Sequence, residues 1–210
     1  MTKTAQLDAW RGDFGNEYVD RNAPLADVLR MRTRMWAAML KSTFNNPPKS
    51  FLEVGCNIGL NLRAIDRLIG AEPFAVEPND KARATLLSED ILPAENLFNA
   101  TGQDIPVADG AVEMSFSAGV LIHVHPDDLP KVADEMHRVT SRWLLVAEYF
   151  SAKPETIPYR GRDDLLFKRD FGGFFMDRFD DLEIVDDGFL WSRTSGIDDV
   201  TWALFRKKGS

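Results

Sequence analysis

Residues 51–61 read Phe51-Leu52-Glu53-Val54-Gly55-Cys56-Asn57-Ile58-Gly59-Leu60-Asn61. A short apolar run stops at an acid, a loop carries glycines at 55 and 59, and a helical pattern follows. That order predicts a strand, a tight turn and a helix N-terminus whose backbone N–H groups can hold a nucleoside-like ligand. A second apolar run, Phe74-Ala75-Val76, ends in Glu77. The two acids are 77 − 53 = 24 residues apart. In a strand–helix–strand unit, an acid at the end of the second strand can accept hydrogen bonds from both hydroxyls of a ribose.

The same loop argues against two neighbours in chemistry. A dinucleotide-binding loop needs a glycine where Asn57 stands, so that backbone can approach a pyrophosphate. A P-loop needs Gly-Lys-Ser or Gly-Lys-Thr, and Gly59 is followed by Leu60 and Asn61. A ribose-bearing cofactor without a diphosphate remains, and S-adenosylmethionine fits that description. At these residues the chain resembles the class I methyltransferases. The resemblance implies that Glu53, Gly55, Cys56, Asn57 and Gly59 lie under the cofactor's methionine end and that Glu77 binds the ribose. The competing reading is a glycine turn in some other parallel α/β protein. Cys56 reads as a small buried loop residue rather than a nucleophile.

Composition sets the frame. The chain has 210 residues, 44% of them hydrophobic, enough for one domain with a substantial core. No apolar run is long enough to cross a bilayer, and Met1-Thr2-Lys3-Thr4-Ala5-Gln6 lacks the apolar centre of a secretory signal. The single cysteine excludes an intrachain disulfide and makes a reducing cytoplasm the expected compartment. Net charge is 25 − 33 = −8, a field that repels phosphate backbones and opposes binding to nucleic acid. Arg30, Arg32 and Arg34 read as a solvated helix face. Arg160, Arg162, Lys168 and Arg169 lie in a loop punctuated by glycine and proline, and either stay solvated or bind an anionic acceptor.

Periodicity predicts the order of elements. Leu25, Val28, Leu29, Met35, Trp36, Met39 and Leu40 repeat at helical spacing over 24–40, and Asn45-Asn46-Pro47-Pro48 ends that helix. Strands are predicted at 51–54, 73–76, 97–100, 112–118 and 143–149, with helices at 60–69, 79–88 and 129–139. Such alternation indicates a parallel sheet with right-handed crossovers and a ligand crevice at the strand C-termini. After Phe171-Gly172-Gly173 the pattern changes. Strands at 182–185 and 201–206, with no regular helix between them, are expected to pair antiparallel at the sheet edge. The expected fold is a Rossmann-like α/β class I methyltransferase, with a mostly parallel seven-stranded sheet, an antiparallel edge strand and helices on both faces. Residues 1–46 are expected to form an N-terminal helical arm or lid, and 47–208 one globular cofactor-binding unit.

Further candidates sit where that fold places a ligand. Thr101-Gly102-Gln103-Asp104-Ile105-Pro106 follows the third strand. By resemblance, Asp104 accepts from the adenine amino group while Gln103 and Ile105 flank the ring; a polar turn explains the same residues. Ser117, Ala118 and Gly119, small residues at a strand C-terminus, let a ligand approach the backbone. His123 and His125 follow. Their i, i+2 spacing evokes a metal pair, but only three histidines exist and no recognised ligand set accompanies them, so no metal is expected. Either is instead a general base or a loop histidine with a structural hydrogen bond.

Several strings narrow the resemblance. Residues 14–22 (Phe14-Gly-Asn-Glu-Tyr-Val-Asp-Arg-Asn22), Ala147-Glu-Tyr-Phe150, Pro158-Tyr-Arg-Gly-Arg162, Leu166-Phe-Lys-Arg-Asp-Phe171 and Asp199-Val-Thr-Trp202 are similar, in this order, to the pseudaminic acid biosynthesis-associated methylases. Residue 125 is His where that subfamily more often has Asn. Tyr18, Arg21 and Asn22 can close on the cofactor's methionine end or on the acceptor, or belong to a packed arm. Glu148 and Tyr149, at a strand end facing the crevice, and Tyr159 and Arg160, from the next loop, can orient a hydroxyl, amine or carboxylate. Alternatively Glu148 pairs with a basic residue and Tyr149 is core. The expected activity is methyl transfer from S-adenosyl-L-methionine to a small polar acceptor, a nonulosonic-sugar or amino-acid-like intermediate. The alternatives are a lyase or cyclase consuming the same cofactor, and a non-catalytic cofactor-binding subunit.

Overall fold

A computed structural model describes residues 5–162 and 165–209. Two short helices, α1 (Ala5–Arg11) and α2 (Asp13–Arg21), lead into α3 (Ala26–Leu40). Then strand and helix alternate: β1 (Ser50–Val54), α4 (Leu60–Ile69), β2 (Glu72–Val76), α5 (Asp80–Ser88), β3 (Leu97–Phe98), β4 (Val112–Ala118), α6 (Leu129–Val139) and β5 (Thr140–Glu148). A small hairpin of β6 (Glu155–Thr156) and β7 (Phe167–Lys168) precedes α7 (Phe171–Arg178), β8 (Leu182–Leu190), the one-turn α8 (Ser192–Ser195) and β9 (Val200–Lys207).

Seven strands form one sheet in the order β3-β2-β1-β4-β5-β9-β8. The first five pair in parallel. β9 runs against both its neighbours, β5 and β8. This is the mostly parallel Rossmann-like sheet expected from the sequence. The reversed strand is β9, one place in from the edge, because the β8–β9 hairpin adds its second strand to β5 first.

Strand periodicity of two divides the core. Trp143, Leu145 and Ala147 of β5 join Phe51 and Phe116 under α3 and α4, where Trp36, Met39, Leu62 and Ile65 pack. Leu144 and Val146 point the other way, to Leu52 and Val54 and to Val132, Met136, Phe171 and Phe175 of α6 and α7. With both faces covered, these strands read as near-continuous apolar runs.

Two features go beyond the sequence pattern. Gly172-Gly173, where the pattern changes, lie inside a helix. Asp170 caps α7, its carboxylate accepting from the Gly173 amide at 2.8 Å, and Phe171 and Phe175 bury one face. A good cap and tertiary burial outweigh the ~1 kcal/mol helix penalty of each glycine. A four-residue helix, α8, also lies between β8 and β9, where none was expected. No helix among the described residues is long and apolar enough to cross a membrane.

Candidate functional site

The β1–α4 turn is shaped by its glycines. Gly55 has φ +70°, and a Cβ there would come within 2.9 Å of Val120. Gly59, at φ +74°, opens α4 against Leu86, 2.7 Å from where its Cβ would be. Only glycine meets both demands cheaply. Between them Asn57 adopts φ 49°. The turn lines a deep cavity with Glu53, Gly55, Cys56, Asn57, Glu77, Gln103, Ala118, Gly119 and His123, beneath Trp10, Tyr18 and Asn22 of the N-terminal arm.

Two acids anchor this cavity. Glu53 is 1% exposed. Its Oε1 accepts from Asn61 Nδ2 at 2.6 Å, and Asn61 Oδ1 in turn accepts from Arg32 Nη1 at 3.0 Å and Trp36 Nε1 at 3.1 Å. Oε2 is buried without a hydrogen-bond partner. Burial pushes the Glu53 carboxyl up to about 8, against the opposing pull of Asn61 and the Arg32 charge. Glu77 accepts from the Asn57 and Asn79 amides, each at 2.8 Å, one at each oxygen. Burial raises its pKa, and those amides and Arg83 oppose the rise. The amide of Gly55 is spent on Val76 O at 2.8 Å. Cys56 is buried and its thiol is pushed well up by that burial, so it is no nucleophile.

A second cavity of about 370 Å³ adjoins the first and shares Tyr18, Arg32, Ala118, Gly119 and His123 with it. Its volume falls within the ordinary range for small-molecule sites. Tyr149, Tyr159, Arg160 and Asp198 complete its polar wall. The chain has three tyrosines, and all three line this space. Tyr149 donates to Asp198 Oδ2 at 2.6 Å. Its pKa is raised by burial and by Asp198, so the phenol keeps its proton. Arg160 sits at φ 52° in a turn closed by the Tyr159 amide on Arg162 O at 2.7 Å and the Arg162 amide on Tyr159 O at 3.1 Å.

His123 stands where the cavities meet. Its Nδ1 lies 2.5 Å from Leu165 O. A carbonyl only accepts, so Nδ1 carries the proton and Nε2 presents its lone pair. Burial pulls the pKa down to about 4, which the Leu165 bond only partly offsets. The neutral ring packs at 4.7 Å from Trp10 and 5.4 Å from Tyr159, centroid to centroid. His125 also lines the first cavity, its Nδ1 accepting from the Asp127 amide at 3.2 Å.

Other sequence candidates stand apart from both cavities. Glu148 does not face the crevice. It is 1% exposed, and it accepts from Ser117 Oγ at 2.5 Å and from the amides of Val120, Leu121 and Ile122 at 3.2, 3.0 and 3.4 Å. Burial still lifts it to about 7. Ser117, fully buried, is Glu148's partner rather than a cavity wall. Asp104 is exposed, in a turn bridged to Thr101. Ile105 is core, its amide held by Glu135 Oε2 at 2.8 Å. Of that group, Gln103 alone reaches the cavity. Arg21 turns outward, over the Tyr18 ring at 5.4 Å. Gly59 acts through the turn.

Three contributors escaped sequence reading. Arg32, expected to be solvated with Arg30 and Arg34, turns inward to Asn61. The signal was its place on the buried stripe, three residues after Leu29 and four before Trp36. Trp10 and Asp198 gave no local signal, since only the folded chain brings them to the site.

Residues 52–142 match the family described as "Methyltransferase domain". Among curated proteins, none matches the sequence significantly. The fold is similar to that of the Burkholderia thailandensis 1,6-didemethyltoxoflavin-N1-methyltransferase with bound 1,6-didemethyltoxoflavin and S-adenosylhomocysteine, at TM-score 0.69 and 14% identity over 99% of this chain and 92% of that one. It is also similar to magnesium protoporphyrin IX methyltransferase from Synechocystis PCC 6803 with bound S-adenosylmethionine, at TM-score 0.67 and 11% identity over 99% and 100% of the two chains. The [4+2]-cyclase SpnF shares the fold at TM-score 0.60 and 12% identity, over 83% of this chain and 81% of that one.

Proposed function

We propose that this chain is a class I S-adenosylmethionine-dependent methyltransferase and that it methylates a small polar acceptor seated in the second cavity. The observation that carries this reading is the junction of the two cavities at Ala118, Gly119 and His123, with a buried unpartnered carboxylate oxygen on the cofactor side. The residues of the first cavity suit the cofactor. Glu53 Oε2 is an acceptor awaiting the amino group of the methionine arm, and Arg32, two bonds away through Asn61, offers a cation to its carboxylate. Glu77, at the end of β2, keeps lone pairs for the ribose hydroxyls, and Gln103 lies toward the adenine end.

S-adenosylmethionine supplies a methyl group on cationic sulfur, already activated for displacement. The chain's work is therefore alignment and proton removal. Ala118 and Gly119 leave room at the transfer point. His123 Nε2 accepts a proton from the attacking group. Tyr18, Tyr149, Tyr159 and Arg160 orient the acceptor. Residues 5–22 act as the arm over the cofactor, tied down through Asn79 Nδ2, which donates to Trp10 O at 3.1 Å and Asn16 Oδ1 at 3.0 Å. Of the arm expected over 1–46, residues 1–4 lie outside the described residues and α3 packs in the core instead.

The finer assignment, a nonulosonic-sugar or amino-acid-like intermediate of a biosynthetic pathway, rests on the sequence strings similar to the pseudaminic acid biosynthesis-associated methylases. The negative net charge supports a small molecule over a nucleic acid as partner. Mass spectrometry of reactions with methyl-labelled cofactor and a panel of sugar and amino acids tests the reading. A labelled product with equimolar S-adenosylhomocysteine is expected. Methylthioadenosine with a cyclised fragment would assign lyase or cyclase chemistry instead, and tight cofactor binding without turnover a binding subunit.

A further inference from the structure

We propose that the acceptor is a small hydroxy or amino acid, held by its carboxylate at Arg160 and methylated on its hydroxyl or amine rather than on the carboxylate. This rests on the second cavity being the acceptor site.

Charge is the first ground. The chain carries −8 overall, yet this cavity's lining has two guanidiniums, Arg32 and Arg160, against one carboxylate, Asp198. Lys168 adds a third cation nearby, 5.5 Å from the Tyr149 ring. Arg32 is bonded to Asn61 on the cofactor side, and Asp198 is engaged by Tyr149. Arg160, exposed at the cavity wall, hydrogen-bonded to Tyr159 and 5.5 Å over its ring, is the remaining cation of the lining and keeps guanidinium donors for an acceptor. It is held at the wall by a closed turn in a backbone conformation that disfavours any side chain. Such strain persists only where surrounding structure enforces it, and it concentrates at ligand clamps. A guanidinium beside phenol donors is the ordinary chemistry of carboxylate recognition.

His123 is the second ground, and it fixes which end reacts. With Nδ1–H bound to Leu165 O, Nε2 is the ring nitrogen left with a lone pair, and the residue lines both cavities. A carboxylate placed there would set lone pair against lone pair. A hydroxyl or amine donates to Nε2 and aims its own lone pair elsewhere. Neutrality of the ring, enforced by burial, keeps that acceptor available across the neutral pH range. In the transfer, the acceptor's oxygen or nitrogen forms the new bond to the methyl carbon. The electrons of the broken carbon–sulfur bond stay on sulfur, and the acceptor's proton passes to Nε2 and on to solvent.

The test uses the full chain saturated with S-adenosylhomocysteine and ligand-observed NMR titrations. The probes are lactate, serine and 4-hydroxybenzoate, each set against its amide, lactamide, serinamide and 4-hydroxybenzamide. At least one acid is expected to bind about tenfold or more tightly than its amide. Arg160→Gln is expected to erase that preference while leaving S-adenosylhomocysteine affinity unchanged. Labelled product from the acceptor panel should keep its methyl in mild alkali. Amides binding as tightly as acids, a preference that survives Arg160→Gln, or labelled methanol released from a methyl ester would overturn the proposal. Failure of S-adenosylhomocysteine to bind at all would instead sink the cofactor reading beneath it.

Discussion

Glu53 offers the sharpest quantitative test, because its oxygens are so unevenly served. Oε1 has Asn61, and Oε2 has nothing. With its pKa pushed up to about 8, the carboxyl is about nine-tenths protonated at pH 7 before cofactor binds. An ammonium arriving at Oε2 requires the ionised form. Binding should then release about 0.9 proton at pH 7, and affinity should rise toward tenfold per pH unit between pH 6 and 8. Glu53→Gln keeps an acceptor for Asn61 and removes the charge. Above pH 8.5 the variant should bind S-adenosylmethionine ~10–150-fold more weakly, the worth of a charge-assisted bond at ~1.5–3 kcal/mol. At pH 6 the gap should nearly close. There the wild type must first ionise Glu53, at a cost of about 2.7 kcal/mol for two units below its pKa. The sign of the stability linkage is opposite. A raised carboxyl contributes stability fully present below its ordinary 4.5 and lost as pH rises through about 8. Cofactor-free wild type should therefore soften from pH 6 to 9, and Glu53→Gln should not. Calorimetric titration in phosphate and Tris, which differ in ionisation enthalpy, reads the proton directly. A binding enthalpy independent of buffer in the wild type, or proton release that survives in Glu53→Gln, would refute the reasoning.

Other perturbations separate the parts of the site. Glu77→Ala should weaken cofactor binding more than tenfold and also lower the melting temperature, since the Asn57 and Asn79 amides lose their acceptor; equal affinity by calorimetry would remove Glu77 from the ribose. His123→Ala should cost ~10²–10⁴ in turnover. Because His123 is pulled down to about 4, its limb in the rate profile should fall near that pH, and His123 should add none between pH 6 and 9; a limb near 6.5 lost with the side chain would contradict its buried neutral state. The same depressed group contributes stability present above 6.5 and lost as pH falls through about 4. Above about pH 7, where the wild-type carboxyl is ionised, Glu148→Gln should cut turnover and speed hydrogen exchange of the 120–122 amides, and the difference should shrink below that pH; unchanged exchange at pH 8 would leave Glu148 without a positioning role. Exhaustive chelation should leave the methylation rate unaltered, and a reversible Mg²⁺ or Zn²⁺ requirement would reopen the question of metal.

What the sequence disclosed was the part of the fold whose signals are local. Helix α4 begins and ends where its pattern does because Gly59 and Gly70 sit at its termini with positive φ. Asn79 announces α5 by capping it, accepting from the Ala82 amide at 2.9 Å. Glu53 and Glu77 stood out because each ends an apolar run. What stayed hidden depended on distant partners. Glu148 reads as a crevice acid at a strand end until a turn 26 to 28 residues earlier folds its amides around it. Asp198 meets Tyr149 from 49 residues away. Residues 171–178 carried no helix in the sequence pattern because propensity weighs the two glycines alone, whereas burial of Phe171 and Phe175 decides α7.

The gathering of every tyrosine on one cavity turns an amino-acid type into a local reporter. A chain grown with ring-labelled tyrosine would give three resonances, all from the wall that receives the acceptor and none from the rest of the core. Ultraviolet difference spectra would carry the same selectivity, because the phenol bands of Tyr18, Tyr149 and Tyr159 respond to whatever displaces solvent beside them. Cofactor arriving in the neighbouring cavity should move chiefly Tyr18, whose ring lines both spaces, whereas a true acceptor should move all three. An unknown compound library could thus be sorted by which signals shift, before any turnover is seen.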